Sequence, residues 1–196
     1  MVKKNRRVGY STKEGIIIWY LLPCKEQEEQ KILASCRKYL SDRAIRDAFV
    51  LTYDQMRRYQ GLWHMEKKLL FPANVLLESE NEEILKGELS RQKRLVEGIS
   101  WNILKLDWTE NVRGLLRLDL EEEAFLRSLC GEQKHIGMSK GIICKGVTQV
   151  FEGPLRGREA QICKIDRHKR LARLEAQKGR KNLRYILAGL EIVERV

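Results

Sequence analysis

The sequence is poor in proline, histidine and aromatic residues, and it has no long hydrophobic run. It has three prolines, three histidines and 7% aromatic residues in 196 positions. The longest apolar run, Ile16–Leu22, has seven residues, far short of the ~20 that span a bilayer. Glu14 before it and Pro23 after it argue against a cleaved signal peptide. We therefore expect a buried strand here, no membrane partner and a cytoplasmic protein.

The chain also lacks the motifs of metal sites and of common enzymes. Its five cysteines are odd in number and scattered without a C-x-x-C pair, so neither a disulfide framework nor a zinc site is indicated. The three histidines lack ligand spacing, and no G-x-x-x-x-G-K phosphate loop occurs. Cys163 and His168 are five positions apart on a predicted strand, which points their side chains to opposite faces. We predict no enzyme activity, no catalytic residue, no metal and no cofactor, with the cysteines as small core residues.

Positive charge is concentrated in the last third of the chain. From Lys134 onward there are 15 Lys and Arg against 6 Asp and Glu, so this third carries +9 of the whole chain's +11. Such a density favours a polyanion, because binding releases condensed counterions. The alternative is a solvated surface that only keeps the chain soluble.

A turn motif lies inside this basic third. Val150–Glu152 leads into Gly153-Pro154-Leu155-Arg156-Gly157, where the proline fixes its own φ and the glycines permit positive φ. Beyond the turn, Ala160, Ile162 and Ile165 alternate imperfectly with polar residues, which predicts a strand with one face on a core and a cationic face in water. The pattern predicts one corner of a small β-barrel that binds nucleic acid.

These residues carry a resemblance to a known family. Glu152–Glu159 followed by Lys164-Ile165-Asp166 resembles the KOW motif of NusG-type transcription factors and some ribosomal proteins, and Gly189–Val193 resembles the closing strand of that domain. Near the start, a Trp19-Tyr20-Leu21-Leu22 strand, a helix over 25–40 and a Phe71-Pro72 strand are similar to the NusG N-terminal domain. The resemblance covers nearly the whole chain.

The likeness to the NusG/RfaH family implies an α+β architecture in two units. The N-terminal unit is expected to be an antiparallel sheet with flanking helices (NGN, ferredoxin-like), and the C-terminal unit a small SH3-like β-barrel (KOW). The predicted boundaries are a basic flexible tail at 1–13, an NGN-like domain at 14–130, a flexible linker at 131–139 and a KOW domain at 140–196.

The resemblance also implies a function. Relatives bind the clamp helices of RNA polymerase with the N-terminal domain and recruit RNA or another factor with the KOW domain. The family usually has Gly-Tyr after Phe-Pro, where this chain has Ala73-Asn74, and this departure suits a specialised paralogue. The helix around Glu121–Leu126, the Arg167–Arg170 run and the ending are most similar to the LoaP antiterminator subgroup. LoaP-like factors are thought to bind an RNA leader hairpin.

We therefore expect a monomeric transcription elongation and processive antitermination factor that binds RNA polymerase and RNA. Non-template DNA or a ribosomal protein are further partners that the family suggests. The alternative is a KOW-type RNA-binding protein associated with the ribosome that does not bind polymerase.

The family motifs also nominate site residues. Phe71 is the first candidate for polymerase binding, followed by Trp19, Tyr20 and Asn74. Because Trp19 and Tyr20 are adjacent on a strand, they point to opposite faces, and we expect Tyr20 at the surface. For RNA binding, we expect the cations of the C-terminal unit to contact phosphates and His168 to stack on a base. The predicted RNA-binding residues are Arg156, Arg158, Lys164, Arg167, His168, Lys169 and Arg170.

Local patterns predict the remaining elements. The segment 44–53 is predicted as a strand and 54–59 as a helical turn, and two further strands are predicted over 63–70 and 73–78. Ser79 with Glu82 and Asp119 with Glu122 have capping-box spacing, and Gly131 is a predicted helix stop. Trp101 and Trp108 are predicted to be core or cover residues.

Overall fold

The computed structural model describes residues 16–91, 114–175 and 185–195. Within these ranges the chain forms three α-helices and twelve strands, so the α+β class is confirmed. The predicted tail at 1–13 and both Trp101 and Trp108 lie outside the described residues. The elements are β1 (Ile18–Pro23), α1 (Glu29–Tyr39), β2 (Asp47–Phe49), β3 (Thr52–Tyr59), β4 (Leu62–Leu69), β5 (Asn74–Ser79), α2 (Glu82–Arg91), β6 (Leu116–Arg117), α3 (Leu120–Cys130), β7 (His135–Ile136), β8 (Ser139–Cys144), β9 (Val147–Glu152), β10 (Ile162–Asp166), β11 (Leu171–Glu175) and β12 (Tyr185–Arg195).

The N-terminal half, residues 16–91 and 114–130, contains a four-stranded antiparallel sheet in the order β2-β5-β1-β6 with helices on both faces. One face of β1 and β5 packs against the apolar sides of α1 and α2. The other face packs against α3 and continues into the core of the C-terminal strands. The strands β1 and β5 are therefore covered by other elements on both faces of the sheet.

This two-sided burial corrects the expectation for Trp19 and Tyr20. Both side chains are 1% exposed, Trp19 on the α3 side and Tyr20 on the α1 and α2 side. The alternation rule assigned them correctly to opposite faces, but neither face meets solvent. Burial raises the pKa of Tyr20 to about 12, and the nearby Glu82 carboxylate contributes to this increase. That carboxylate accepts a hydrogen bond from the Tyr20 hydroxyl at 3.4 Å. Neither residue is positioned to contact polymerase.

The β3–β4 hairpin is the longest ribbon of the N-terminal half. It pairs eight residues on each strand, from Thr52 with Leu69 to Tyr59 with Leu62. Gln60 and Gly61 both have positive φ, as a two-residue type I′ turn requires. The helical turn predicted at 54–59 is therefore wrong: these residues continue β3, because cross-strand pairing outweighs their weak local preference.

The C-terminal half, residues 131–175 and 185–195, contains a five-stranded sheet in the order β10-β11-β12-β8-β9. In this sheet β8 and β12 are parallel and the other pairs are antiparallel. The ending predicted as a closing strand, Gly189–Val193, lies in β12 at the centre of this sheet. Gly189 is packed so closely against the hairpin that a Cβ there would lie 2.6 Å from the Asp54 carbonyl oxygen. The two halves are thus in direct contact.

The segment predicted as a flexible linker, 131–139, is ordered and anchored. Its strand β7 pairs in parallel with Thr52 and Tyr53 of β3, and Ile136 is fully buried. The His135 ring contacts both Thr52 Oγ1 at 2.8 Å and Asp54 Oδ1 at 3.1 Å. Strand pairing with β3, burial of Ile136 and the His135 contacts attach this segment to the hairpin, where the sequence predicted a flexible joint.

Helix caps follow the predictions in one case and correct them in the other. The capping box of α3 is confirmed: Asp119 accepts from the amides of Glu121 and Glu122, while Glu122 accepts from the Asp119 amide, and Gly131 ends the helix. For α2 the cap is not Ser79. Asn81 Oδ1 accepts from the amides of Glu83 and Ile84, so the helix begins two residues later than the predicted box.

Ala73 is strained, which leads to a stability prediction. It has φ +58° between Phe71-Pro72 and β5, a conformation that costs a residue with a Cβ about 1–2 kcal/mol. Ala73→Gly should stabilise the fold by about 0.5–1 kcal/mol, since the entropy of glycine in the unfolded chain offsets part of the gain. Urea unfolding checks this value. Ala34→Gly on the exposed side of α1 is the control and should destabilise by about 1 kcal/mol; a loss of stability in both variants would contradict the strain at Ala73.

Candidate nucleic-acid interface

The turn between β9 and β10 holds two of the predicted RNA-binding arginines. Gly153 and Gly157 have φ +92° and +75°, which confirms the positive φ predicted for both. A Cβ on Gly153 would also lie 2.6 Å from the Met138 carbonyl oxygen, so the close approach of the chain excludes larger residues. Arg156 on this turn is exposed, whereas Arg158 is half-buried, with its guanidinium 5.8 Å from the Phe125 ring centroid on α3.

A β-bulge explains the imperfect alternation of β10. Ile162 pairs with Leu174 and Lys164 with Arg173, so Cys163 is the extra residue. Ile162 and Ile165 pack against the core, while Cys163 and Lys164 are exposed. Ala160 does not join this strand, because a short 3₁₀ turn occupies Glu159–Gln161. The predicted cationic face of β10 therefore consists of Lys164 alone.

The turn between β10 and β11 carries the basic run. Asp166 Oδ1 accepts from the Lys169 amide at 3.0 Å, and the Arg170 amide donates to the Arg167 carbonyl at 3.4 Å. Arg170 takes φ +50°, and its carbonyl accepts from the Leu190 amide of β12 at 2.9 Å. These bonds fix the backbone of the turn, so the side chains of Arg167, His168 and Lys169 project into solvent from a rigid base.

Arg170 differs from its neighbours because its side chain is held in place. The guanidinium lies 4.0 Å from the Trp63 ring centroid and 2.6 Å from Glu191 Oε1. The first contact joins the C-terminal sheet to the β3–β4 hairpin as a cation–π pair. Arg170 therefore has a structural part in addition to the RNA-binding role that the sequence predicts.

The seven predicted RNA-binding residues form two groups. Arg156 and Arg158 precede β10, and the run from Arg167 to Arg170 follows it, with Lys164 between them. Five residues of strand separate the two turns by roughly 16 Å. The first group faces α3 through Arg158, and the second faces the hairpin through Arg170.

A groove of about 370 Å³ lies beside the second group. The turn contributes His168 and Lys169, and the hairpin contributes seven residues that the sequence reasoning did not single out. The sequence does contain cations near an aromatic residue in this region, a pattern that favours nucleic-acid binding. The helical turn predicted at 54–59 did not place these residues in one β-ribbon, so the pattern was missed. The hairpin residues are Gln55, Met56, Arg57, Arg58, Trp63, Glu66 and Lys68.

The remaining polymerase candidates lie at the turn between β4 and β5. Phe71 is half-buried and packs against the larger core, so part of its ring supports the fold. Asn74 is also half-buried, and its side-chain Nδ2 donates to the Pro72 carbonyl at 2.9 Å. The Ala73 amide donates to the buried Glu29 carboxylate at 2.8 Å. The turn is therefore rigidly attached to α1.

The described part of the chain offers few groups for other chemistry. It contains no group of three or more His, Cys, Asp or Glu residues placed to hold a metal ion, and none of its helices is long and apolar enough to cross a membrane. Cys24, Cys36 and Cys130 are buried as predicted, and burial raises the pKa of their thiols to about 11, 12 and 12. Cys144 is half-buried and Cys163 is exposed, so these two are not core residues.

Comparison with protein-family models found no match, and a search of curated proteins found no similar sequence.

Proposed function

We propose that this protein is a transcription elongation and processive antitermination factor that binds RNA polymerase through its N-terminal half and RNA through its C-terminal half. The architecture proposed is an NGN-like unit followed by a KOW-like unit, most similar to the LoaP subgroup of the NusG/RfaH family. The observation that carries the proposal is the exposed basic turn Arg167–Lys169, held rigid on a compact β-sheet unit.

The charge and exposure of the basic turn support the proposed RNA binding. Arg167, His168 and Lys169 point into solvent beside further cations of the hairpin. Side chains of this kind contact phosphates, and arginine also stacks on exposed bases. The family resemblance suggests a leader hairpin as the RNA.

The position of Phe71 supports the proposed binding of RNA polymerase. Phe71 is the candidate that keeps part of its ring in solvent, whereas Trp19 and Tyr20 are buried. Its turn is fixed by the Glu29 and Pro72 hydrogen bonds, so an apolar partner would meet a rigid aromatic anchor.

The contact between the halves gives the proposal a mechanical basis. A polymerase-bound N-terminal half would hold the basic turn close to the emerging transcript, which raises the effective concentration of RNA. Antitermination would then depend on both surfaces at once.

Phe71→Ala tests the polymerase half. It should reduce co-elution of the chain with core RNA polymerase at least about tenfold, because interface aromatics commonly contribute 2 kcal/mol or more. RNA affinity, measured by fluorescence anisotropy in the same preparation, should stay within about twofold of the native value, which shows that the fold is intact.

Phe125→Ala is the matched control, because Phe125 is half-buried against the same core but lies on α3. It should lose similar packing and keep polymerase binding. If Phe71→Ala also keeps polymerase binding, the proposed polymerase surface is wrong. If the native chain binds RNA and no polymerase, the ribosome-associated RNA-binding protein becomes the better explanation.

A further inference from the structure

The groove between the hairpin and the basic turn is built from both halves of the chain. Arg58 and Trp63 lie directly opposite each other on β3 and β4, so their side chains share one face of the ribbon. Arg170, at the end of the turn between β10 and β11, lies over the Trp63 ring. His168 and Lys169 line the same groove from the turn.

The lining carries a positive excess. It contains four cations, contributed by both halves, and one carboxylate, that of Glu66. Glu66 is shared between Lys68 at 2.8 Å and Arg57 at 3.7 Å, and the hydrogen bond from Lys68 lowers the pKa of Glu66. Within the described ranges Arg58 and Lys169 have no ion-pair partner, so their charges are available to a ligand.

Contacts between the hairpin at Asp54 and the C-terminal half fix the two walls of the groove relative to each other. The Met138 amide donates to Asp54 Oδ2 at 3.1 Å, β7 extends the sheet of the hairpin, and Gly189 packs on the Asp54 carbonyl. These contacts hold like charges of the hairpin and the turn close together. A polyanion that passes between them would offset this repulsion.

The volume and the aromatic stack narrow the kind of polyanion. About 370 Å³ is within the range of sites that hold a small organic ligand, which suits single nucleotides of an unpaired strand better than a duplex. The Trp63–Arg170 stack offers planar groups on which a base can stack.

We propose that this groove binds unpaired RNA, with phosphates contacting Arg58 of the hairpin and Lys169 of the turn, and with one base against the Trp63–Arg170 stack. The inference rests on the proposed RNA-binding function and adds that the N-terminal half supplies part of the RNA site. RNA binding then requires the docked arrangement of the two halves.

Arg58→Glu is the decisive variant, measured by anisotropy with a labelled single-stranded RNA of mixed sequence. The local charge changes by two units, each worth about 1 kcal/mol against a phosphate at 4 Å in water, which should weaken binding by about 30-fold. Removing one phosphate contact should also lower the slope of log affinity against log salt by about 0.7. Arg43→Glu is the matched control: Arg43 is an exposed cation of the same half that does not line the groove, and its reversal should change affinity less than about threefold.

A second readout reports the base contact. RNA should quench part of the tryptophan fluorescence of the native chain, and Trp63→Phe should remove that part while unfolding at a similar temperature. Polyglutamate, which supplies charge without bases, should compete only weakly for the groove.

The outcomes separate this inference from the function on which it rests. If the native chain binds neither this single-stranded RNA nor the leader hairpin, the proposed RNA-binding function itself is wrong; if it binds the hairpin alone, the groove for unpaired RNA is overturned. If the native chain binds RNA and Arg58→Glu behaves like Arg43→Glu, RNA binding stands and the shared groove is overturned. Polyglutamate binding as tight as RNA binding would also overturn it, because the site would then recognise charge alone.

Discussion

Reversing two charges of the basic turn, in Arg167→Glu with Lys169→Glu, is expected to weaken RNA binding by about a thousandfold. Both side chains are exposed on a turn whose backbone is fixed by Asp166 and Leu190. The double variant changes the local charge by four units, each worth about 1 kcal/mol against a phosphate at 4 Å in water. About 4 kcal/mol corresponds to the thousandfold loss. Arg170 stays unchanged because it supports Trp63 and Glu191.

The salt dependence of binding provides an independent check on this double variant. Loss of two phosphate contacts should reduce the slope of log affinity against log salt by about 1.4 for single-stranded RNA. Lys31→Glu with Arg43→Glu makes the same total charge change on exposed residues of the N-terminal half that do not line the groove. Equal losses in both double variants would mean that net charge alone drives binding, and the basic turn would lose its assigned role.

Glu78→Gln is expected to destabilise the fold by about 2 kcal/mol. The carboxylate of Glu78 accepts from Arg127 at 2.7 Å and from Lys134 at 3.5 Å, which ties β5 to α3 and to the segment before β7. Breaking a buried ion pair costs about 3–5 kcal/mol, and we take a smaller value because Arg127 is partly exposed to solvent. The two cations also lie over aromatic rings, Arg127 over Trp19 at 4.3 Å and Lys134 over Phe49 at 3.5 Å.

The effect should depend on pH in a defined direction. Burial alone would raise the pKa of Glu78, but the Arg127 hydrogen bond and the charges of Lys134 and Arg127 lower it below its ordinary value of 4.5. A carboxyl with a lowered folded pKa stabilises the fold above its unfolded pKa, and that contribution disappears as pH falls through the folded value. The stability difference between the native chain and Glu78→Gln should therefore be full at pH 7 and shrink steadily below about pH 4.5.

Urea unfolding at several pH values measures this difference. Glu80→Gln is the control, because Glu80 pairs with Arg46 at 3.2 Å on the surface, and it should cost no more than about 0.5 kcal/mol. A Glu78→Gln cost as small as that of the control, or one independent of pH between 7 and 3, would show that the pairs with Arg127 and Lys134 contribute little.

Sequence patterns predicted the positions of most elements because local signals specify them. The Asp119 capping box and the positive φ of Gly153 and Gly157 depend on residues a few positions apart. Cross-strand pairing of β3 with β4, by contrast, overrode the local preference at 54–59. The docking of Ile136 depends on the edge of β3, about 80 residues earlier in the chain, and no local pattern reports such an edge.

The candidate site was predictable only in part for the same reason. The basic run is visible as a sequence cluster, and the structure keeps Arg167, His168 and Lys169 exposed. The contribution of Arg58 and Trp63 depends on packing between the two halves, which brings residues about 100 positions apart to one groove. Alternation placed Trp19 and Tyr20 on opposite faces, but it carries no information on whether each face is covered.

Transcription by purified RNA polymerase across an intrinsic terminator, with and without the RNA leader of the operon that carries the gene, tests the two-surface function most directly. The proposal predicts that read-through rises only when the native chain and the leader are both present. The Arg167→Glu and Lys169→Glu double variant should abolish this rise, and Phe71→Ala should abolish it as well. Read-through that is unchanged by the native chain on every template would contradict the proposal.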